Sequence, residues 1–249
     1  MGGCFLKTNE AILFKKSDLE AGINVPDWFT EEYLNYKEKV CNKDFPCYFA
    51  TTAENKGDLY YSYVEDDLLD AVKALKTFLE KRDANNIYEQ NIIIFFKPEL
   101  QKKNIEFYRK RTWEILNFLH ENDPSGWPSD VPKDPEDPQW GFCFGGEELF
   151  ITSCFPPLLK RKSRNLGNSL VLVIQPNSIF NGIESHNPKG RKVRQLIRTR
   201  LGKWDDVPPH PDLSELGEVQ GERWKNYVYD DDNIPFKGKC PFKNTLQYK

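Results

Sequence analysis

The sequence predicts an α+β domain, with a largely antiparallel sheet and helices packed against it. Three observations carry that expectation. Ile92-Ile93-Ile94-Phe95-Phe96 is a continuous apolar run, which suits a central strand covered on both faces. Trp140 to Phe144 and Glu148 to Phe155 are strand-like and flank Gly145-Gly146, so they read as a hairpin. Strand and helix patterns mix without a steady β-α-β alternation, and there is no internal repeat or low-complexity linker.

In order along the chain, residues 1–25 show no sustained period and read as a loose arm, with 26–249 as one domain. Met1-Gly2-Gly3-Cys4 invites a lipidation reading, but Leu6 stands where the acylation pattern wants Ser or Thr. Pro26 to Cys41 reads as a helix, because Trp28, Tyr33, Tyr36 and Val40 recur at helical spacings. Asp44 to Ala50 reads as a strand that turns at Gly57-Asp58 and returns as Leu59 to Val64. Asp66 caps a helix to about Lys81, with Leu68, Leu69, Val72, Leu75, Phe78 and Leu79 as its buried stripe. Asn104 to Glu121 is an amphipathic helix with Ile105, Tyr108, Trp113, Leu116 and Leu119 inward. A Pro/Asp-rich loop leads to Trp140. After the hairpin, Gly167 leads into a buried strand, Leu170 to Ile174. Lys189 to Leu201 is a basic helix, with Val193, Leu196 and Ile197 as its buried stripe. Val207 to Glu222 is loop, and Trp224 to Tyr229 is a last strand before the acidic turn Asp230-Asp231-Asp232-Asn233.

Composition narrows the function classes. A chain of 249 residues can bury a sizeable core and enclose a pocket. With 35 basic and 38 acidic residues the formal charge is -3, which argues against a general nucleic-acid binder. No apolar run approaches the roughly 20 residues of a membrane span. No signal peptide is visible, because the chain turns polar after Phe5-Leu6. The cysteines, Cys4, Cys41, Cys47, Cys143, Cys154 and Cys240, form no C-x-x-C pair. Free thiols in a reducing cytoplasm are the simplest reading.

Each candidate for chemistry has a plainer structural reading beside it. Cys47, in F-P-C-Y-F-A, is a nucleophile or soft metal ligand, or a small apolar residue in a strand. The histidines are His120, His186 and His210, and none has H-x-x-x-H spacing. His210, stiffened by prolines and followed by Asp212, is an axial ligand or acid/base candidate, or a loop histidine bonded to the backbone. Lys160-Arg161-Lys162-Ser163-Arg164 offers two guanidiniums and a hydroxyl suited to carboxylate or phosphate, or it is a solvated loop. The basic helix suits RNA or an acidic partner, or solvent. Asp130, Asp134, Glu136, Asp137, Glu147 and Glu148 solvate loops, or one of them faces a cationic substrate.

Together the motifs resemble one family. They are F-P-C-x-F-A, F-L-H-x-x-D, W-P-x-D-x-P-x-D-P-x-D-P-x-W-x-F-x-F, F-P-P-x-x-x-R-x-S-R-x-L-G, a strand ending Q-P, H-P-D-L and E-R-W-K-x-Y. Their order and spacing over roughly residues 40 to 235 resemble the YqcI/YcgG family. The resemblance implies a b-type haem oxygenase that N-hydroxylates a guanidine or amine of a small amino-acid-like substrate such as arginine. It also implies molecular oxygen and an electron donor as partners. Carried onto this sequence, it makes Cys47 the haem thiolate, with His210 as the alternative axial ligand. It sets Arg161 and Arg164 on haem propionates or a substrate carboxylate, and counts Ser163 and Trp140 among the cofactor-binding residues. Competing readings are a haem-binding or sensing protein without turnover, an interaction module on the helix at 189–201, and a hydrolase with Cys47 as nucleophile.

Overall fold

In a computed structural model the structure describes residues 12–85, 90–183, 187–213 and 222–243. The elements are β1 (Phe14–Lys15), α1 (Lys16–Glu20), α2 (Asp27–Val40), α3 (Tyr48–Lys56), β2 (Tyr60–Val64), α4 (Leu69–Ala84), β3 (Ile92–Phe96), α5 (Ile105–Glu121), β4 (Phe142–Phe144), β5 (Glu147–Cys154), β6 (Leu170–Pro176) and α6 (Pro188–Trp204). The sheet order is β1-β2-β3-β6-β5-β4. Among the described residues only β2 and β3 run parallel, joined through α4, and the other neighbours are antiparallel. The fold is α+β, as the sequence predicts.

Alternation along the strands divides the core in two. Ile92, Ile94, Leu170, Leu172, Ile174, Leu149 and Ile151 face α4 and α5. Ile93, Phe95, Val171 and Cys154 face α2, meeting Phe29, Tyr33, Tyr36 and Val40. Every residue of β3 is buried, as its unbroken apolar run requires. The β4–β5 hairpin closes through Gly145 and Gly146 at φ 65 and 80, values open to glycine at little steric cost. Asn104 caps α5 by accepting the Phe107 N–H. The buried Glu32 carboxylate of α2 accepts the N–H groups of Asn168 and Ser169, both at 2.7 Å, and so fixes the entry to β6.

Several sequence expectations are corrected. Within 1–25, Phe14–Lys15 pairs with β2 and Lys16–Glu20 is helical. Cys4 and the lipidation reading lie outside the described residues. Asp44 to Ala50 is not a strand: its end begins α3, whose C-cap is Gly57 at φ 73. On α4, Leu75, Phe78 and Leu79 are buried and Leu68 and Val72 pack against the core as expected, but Leu69 is exposed and Ala71 and Ala74 are buried in addition. Trp224 to Tyr229 is not a strand but a 3-10 turn (Arg223–Asn226) followed by irregular backbone. Its carbonyls at Asn226 and Tyr227 accept from the Arg164 guanidinium. Its ladder contact is one bond, from Ser153 N–H to the Tyr227 carbonyl. On α6 the expected apolar stripe is not buried. Leu196 is 53% exposed, and Gly190 is the buried residue of this helix. Instead α6 is held at its end, where Trp204 packs edge-on against Phe45 at 5.6 Å, and by its guanidiniums. Arg194, Arg198 and Arg200 donate to the carbonyls of Ile183, Leu213 and Lys43.

Candidate functional site

Cys47 is the N-cap of α3. Its extended backbone leaves Sγ to accept the Ala50 N–H at 3.4 Å. The sulfur thus sits on the positive end of a helix, where partial charge favours an anion. Burial nevertheless pushes the thiol up, against the N–H groups of Ala50 and Phe49 and the charges of Arg164 and Arg200. The resting group is therefore a thiol, and a metal that takes up the sulfur displaces its proton. Tyr48 and Phe49, 57% and 46% exposed, flank it as two large surface aromatics.

The basic loop and the acidic turn of the sequence meet. Asp231 accepts the backbone N–H groups of Leu159, Lys160 and Arg161 at 2.7 to 2.9 Å. The Arg161 guanidinium is buried and donates to the carbonyls of Asp230, Pro208 and Asp232 and to Asn233 Oδ1. Arg164 donates to the carbonyls of Ser153, Asn226 and Tyr227, and its guanidinium lies 4.5 Å over the Tyr229 ring. Ser163 is held by Asp205, which accepts both its N–H at 2.7 Å and its hydroxyl at 2.8 Å. Thus both arginines and the serine spend their donors on the chain itself.

His210 joins this cluster. Its ring stacks on Tyr229 at 4.5 Å and on Phe236 at 5.3 Å. Nδ1 accepts the Asp212 N–H at 3.2 Å, which puts the single proton of the neutral ring on Nε2. Nε2 is buried without a partner among the described residues. Burial, and then the Arg161 charge, lower the His210 pKa below its ordinary value. The unfolded chain takes up a proton near pH 6.5 while the folded chain resists it, so this group's contribution to stability is full above that pH and falls as pH drops below it. Urea midpoints at pH 7.5 and 5.5 should differ less for His210→Phe than for the wild type. An unchanged difference would show that His210 is not the group responsible.

The structure therefore gathers Arg161, Ser163, Arg164 and His210, with the charge of Arg164 also reaching Cys47. Trp140 is elsewhere. It is fully buried in the core under α4 and α5, 5.3 Å from Phe242, whereas Cys47 packs on the α2 side of the sheet. His120 is likewise buried in that first core, and His186 lies outside the described residues. The candidate carboxylates are mostly engaged. Asp134 and Asp137 close turns on their own backbone, Glu136 accepts the Cys240 N–H, Glu147 meets Arg82, and Glu148 meets Arg223 and Asn177. Tyr229 enters the sequence reading only as the end of a strand, Asp205 does not enter it, and Arg200 appears there only as part of a basic face. Nothing local marks Tyr229 or Asp205, since each meets its partner across some 40 to 65 residues of chain.

No helix among the described residues is long and apolar enough to cross a membrane. The chain is 33% identical to YqcI of Bacillus subtilis, a protein of uncharacterized activity, over 95% of this chain and 98% of the relative. It is 30% identical to DcsA of Streptomyces lavendulae, named as a candidate N(omega)-hydroxy-L-arginine synthase, over 91% of this chain and 88% of that one. YcgG of Bacillus subtilis, also uncharacterized, is 36% identical over 62% of this chain and 61% of its own. No solved structure matches the chain. Residues 36–243 match the YqcI/YcgG family, and the chain belongs to it.

Proposed function

We propose that this protein is a haem-dependent oxygenase that N-hydroxylates a guanidine or amine nitrogen of a small amino-acid-like substrate. The observation that carries the reading is the similarity, over nine-tenths of the chain, to a relative named for N-hydroxy-arginine synthesis. The donor set fits the cofactor. Cys47 offers a sulfur on a helix N-terminus with an N–H bond to it, an arrangement that suits a thiolate on iron. His210 fits less well as the axial ligand. Ligation through Nε2 would move the ring proton to Nδ1, against the Asp212 N–H that this nitrogen now accepts. Haem, when bound, supplies the activated oxygen that the hydroxylation needs.

The rest falls to the chain. Cys47 would give up its proton to hold the iron. Arg164 and Arg200 bring positive charge that offsets the thiolate and suits the carboxylates of haem or substrate. Arg161 and Ser163 hold the loop that carries Arg164. The reaction puts one oxygen atom on nitrogen and reduces the other to water, consuming two electrons and two protons from an external donor. Reconstituted protein should be supplied with a reductant, oxygen-18 gas and a panel of arginine, related guanidines and amines. Label in an N-hydroxylated product supports the reading. Haem that binds and reduces while every substrate is returned unchanged would favour a haem-binding or sensing protein.

A further inference from the structure

A cavity of about 240 Å³ lies on the face of the sheet away from Cys47, between α5 and the segment 236–241. Trp113 and Trp224 form its aromatic wall, their rings 6.2 Å apart and steeply inclined. Arg109, Lys237 and Lys239 bring three cations to it. Arg109 holds one carboxylate, Asp230, at 2.8 Å, and neither lysine has an ion pair among the described residues. The wall also carries unspent hydrogen-bonding capacity. Trp224 Nε1, on a residue of that wall, is buried without a partner among the described residues. Buried polar groups are normally satisfied, so an unpartnered donor on a cavity-wall residue points to something that fills the cavity.

We infer that this cavity is a second binding site, distinct from the Cys47 and Arg164 region, for a small planar anion of the aryl carboxylate class. An aryl ring gains area and edge-to-face contact against Trp113 and Trp224. Its carboxylate meets the two lysines, with Arg109 beside them still paired to Asp230, and accepts the Trp224 N–H. A cationic ligand would face the two lysines as like charges, and a neutral one would leave them unanswered, whereas Arg109 already has Asp230. The segment that forms the wall has two sides. Trp224 and Val228 line the cavity, while Asn226 and Tyr229 serve Arg164. The site needs no haem and stands apart from the proposed oxygenase chemistry.

The test is calorimetric titration of the full chain with 2-naphthoate and, separately, with neutral 2-naphthamide. Two-state unfolding of each variant is checked alongside. Saturable binding of naphthoate at one site is expected, with the amide weaker by about tenfold or more. Reversing the two exposed lysines, Lys237→Glu with Lys239→Glu, should weaken naphthoate by about tenfold or more without unfolding the chain. Trp224→Phe, which keeps a ring and removes the N–H, should weaken it severalfold, while Cys47→Ser should leave it unchanged. The proposal is overturned by an absence of saturable binding, by equal affinity for acid and amide, or by full affinity in the lysine double variant.

Discussion

Cys47→Ser is expected to lower kcat/KM for N-hydroxylation by on the order of a thousandfold while leaving the protein folded. The choice of serine separates two roles of the sulfur. Cys47 Sγ caps α3 by accepting the Ala50 N–H, and alanine would forfeit that bond at a cost of about 1 kcal/mol. Serine is a favoured N-cap residue, so the helix keeps its cap and only the soft ligand is lost. Steady-state kinetics on the reconstituted enzyme, alongside a urea midpoint within a few tenths of a molar of wild type, is the expected pair of results. Wild-type turnover in the serine variant would remove Cys47 from the chemistry.

Arg161→Ala is expected to be the most destabilising single change in the basic loop, at about 3–5 kcal/mol. This side chain is 2% exposed and donates to three carbonyls and one amide oxygen, all in the segments at 208 and 230–233. Alanine strips a donor from each of these acceptors and opens a hole the size of a guanidinium. In a chain of this size the melting temperature should fall by roughly 10 °C. Arg161→Lys should recover less than half of the loss, because one ammonium cannot span acceptors set around a planar fork. Thermal unfolding checks both, and a drop of only a degree or two for alanine would mean that the buried fork contributes little net stability. Activity loss in this variant should track the unfolded fraction, as expected of a residue that positions Arg164 rather than one that touches substrate.

What was legible in the sequence follows from how local each signal is. The run Ile92 to Phe96 needs no context to read as a buried strand. Gly145-Gly146 between aromatic segments reads as a tight hairpin because both positions take positive φ. Asn104 marks the start of α5 by its side chain alone. Asp44 to Ala50 misled because aromatic residues favour strands and cysteine is not an ordinary cap. The better signals were the alanines after Cys47 and Gly57 at the helix end. Trp224 to Tyr229 misled because its aromatic spacing is strand-like, while Arg164 takes the carbonyls that a ladder would use. The candidate site was legible residue by residue but not as a constellation. Arg161 and Arg164 come from one loop, His210 from another and Tyr229 from a third, and only the fold brings them together. The cavity at Trp113 and Trp224 was invisible for the same reason.

The central claim is that Cys47 holds haem iron, and a haem titration followed by absorption spectroscopy tests it most directly. Wild type, Cys47→Ser and His210→Phe would each be titrated with haem and recorded in the ferric, ferrous and carbon monoxide forms. The account predicts stoichiometric uptake by wild type and a Soret band. In the carbon monoxide form that band should lie at the red-shifted position of thiolate ligation, disappear from it in Cys47→Ser and persist in His210→Phe. Folded wild-type protein that takes up no haem, or a Soret band altered by His210→Phe and indifferent to Cys47→Ser, would contradict it.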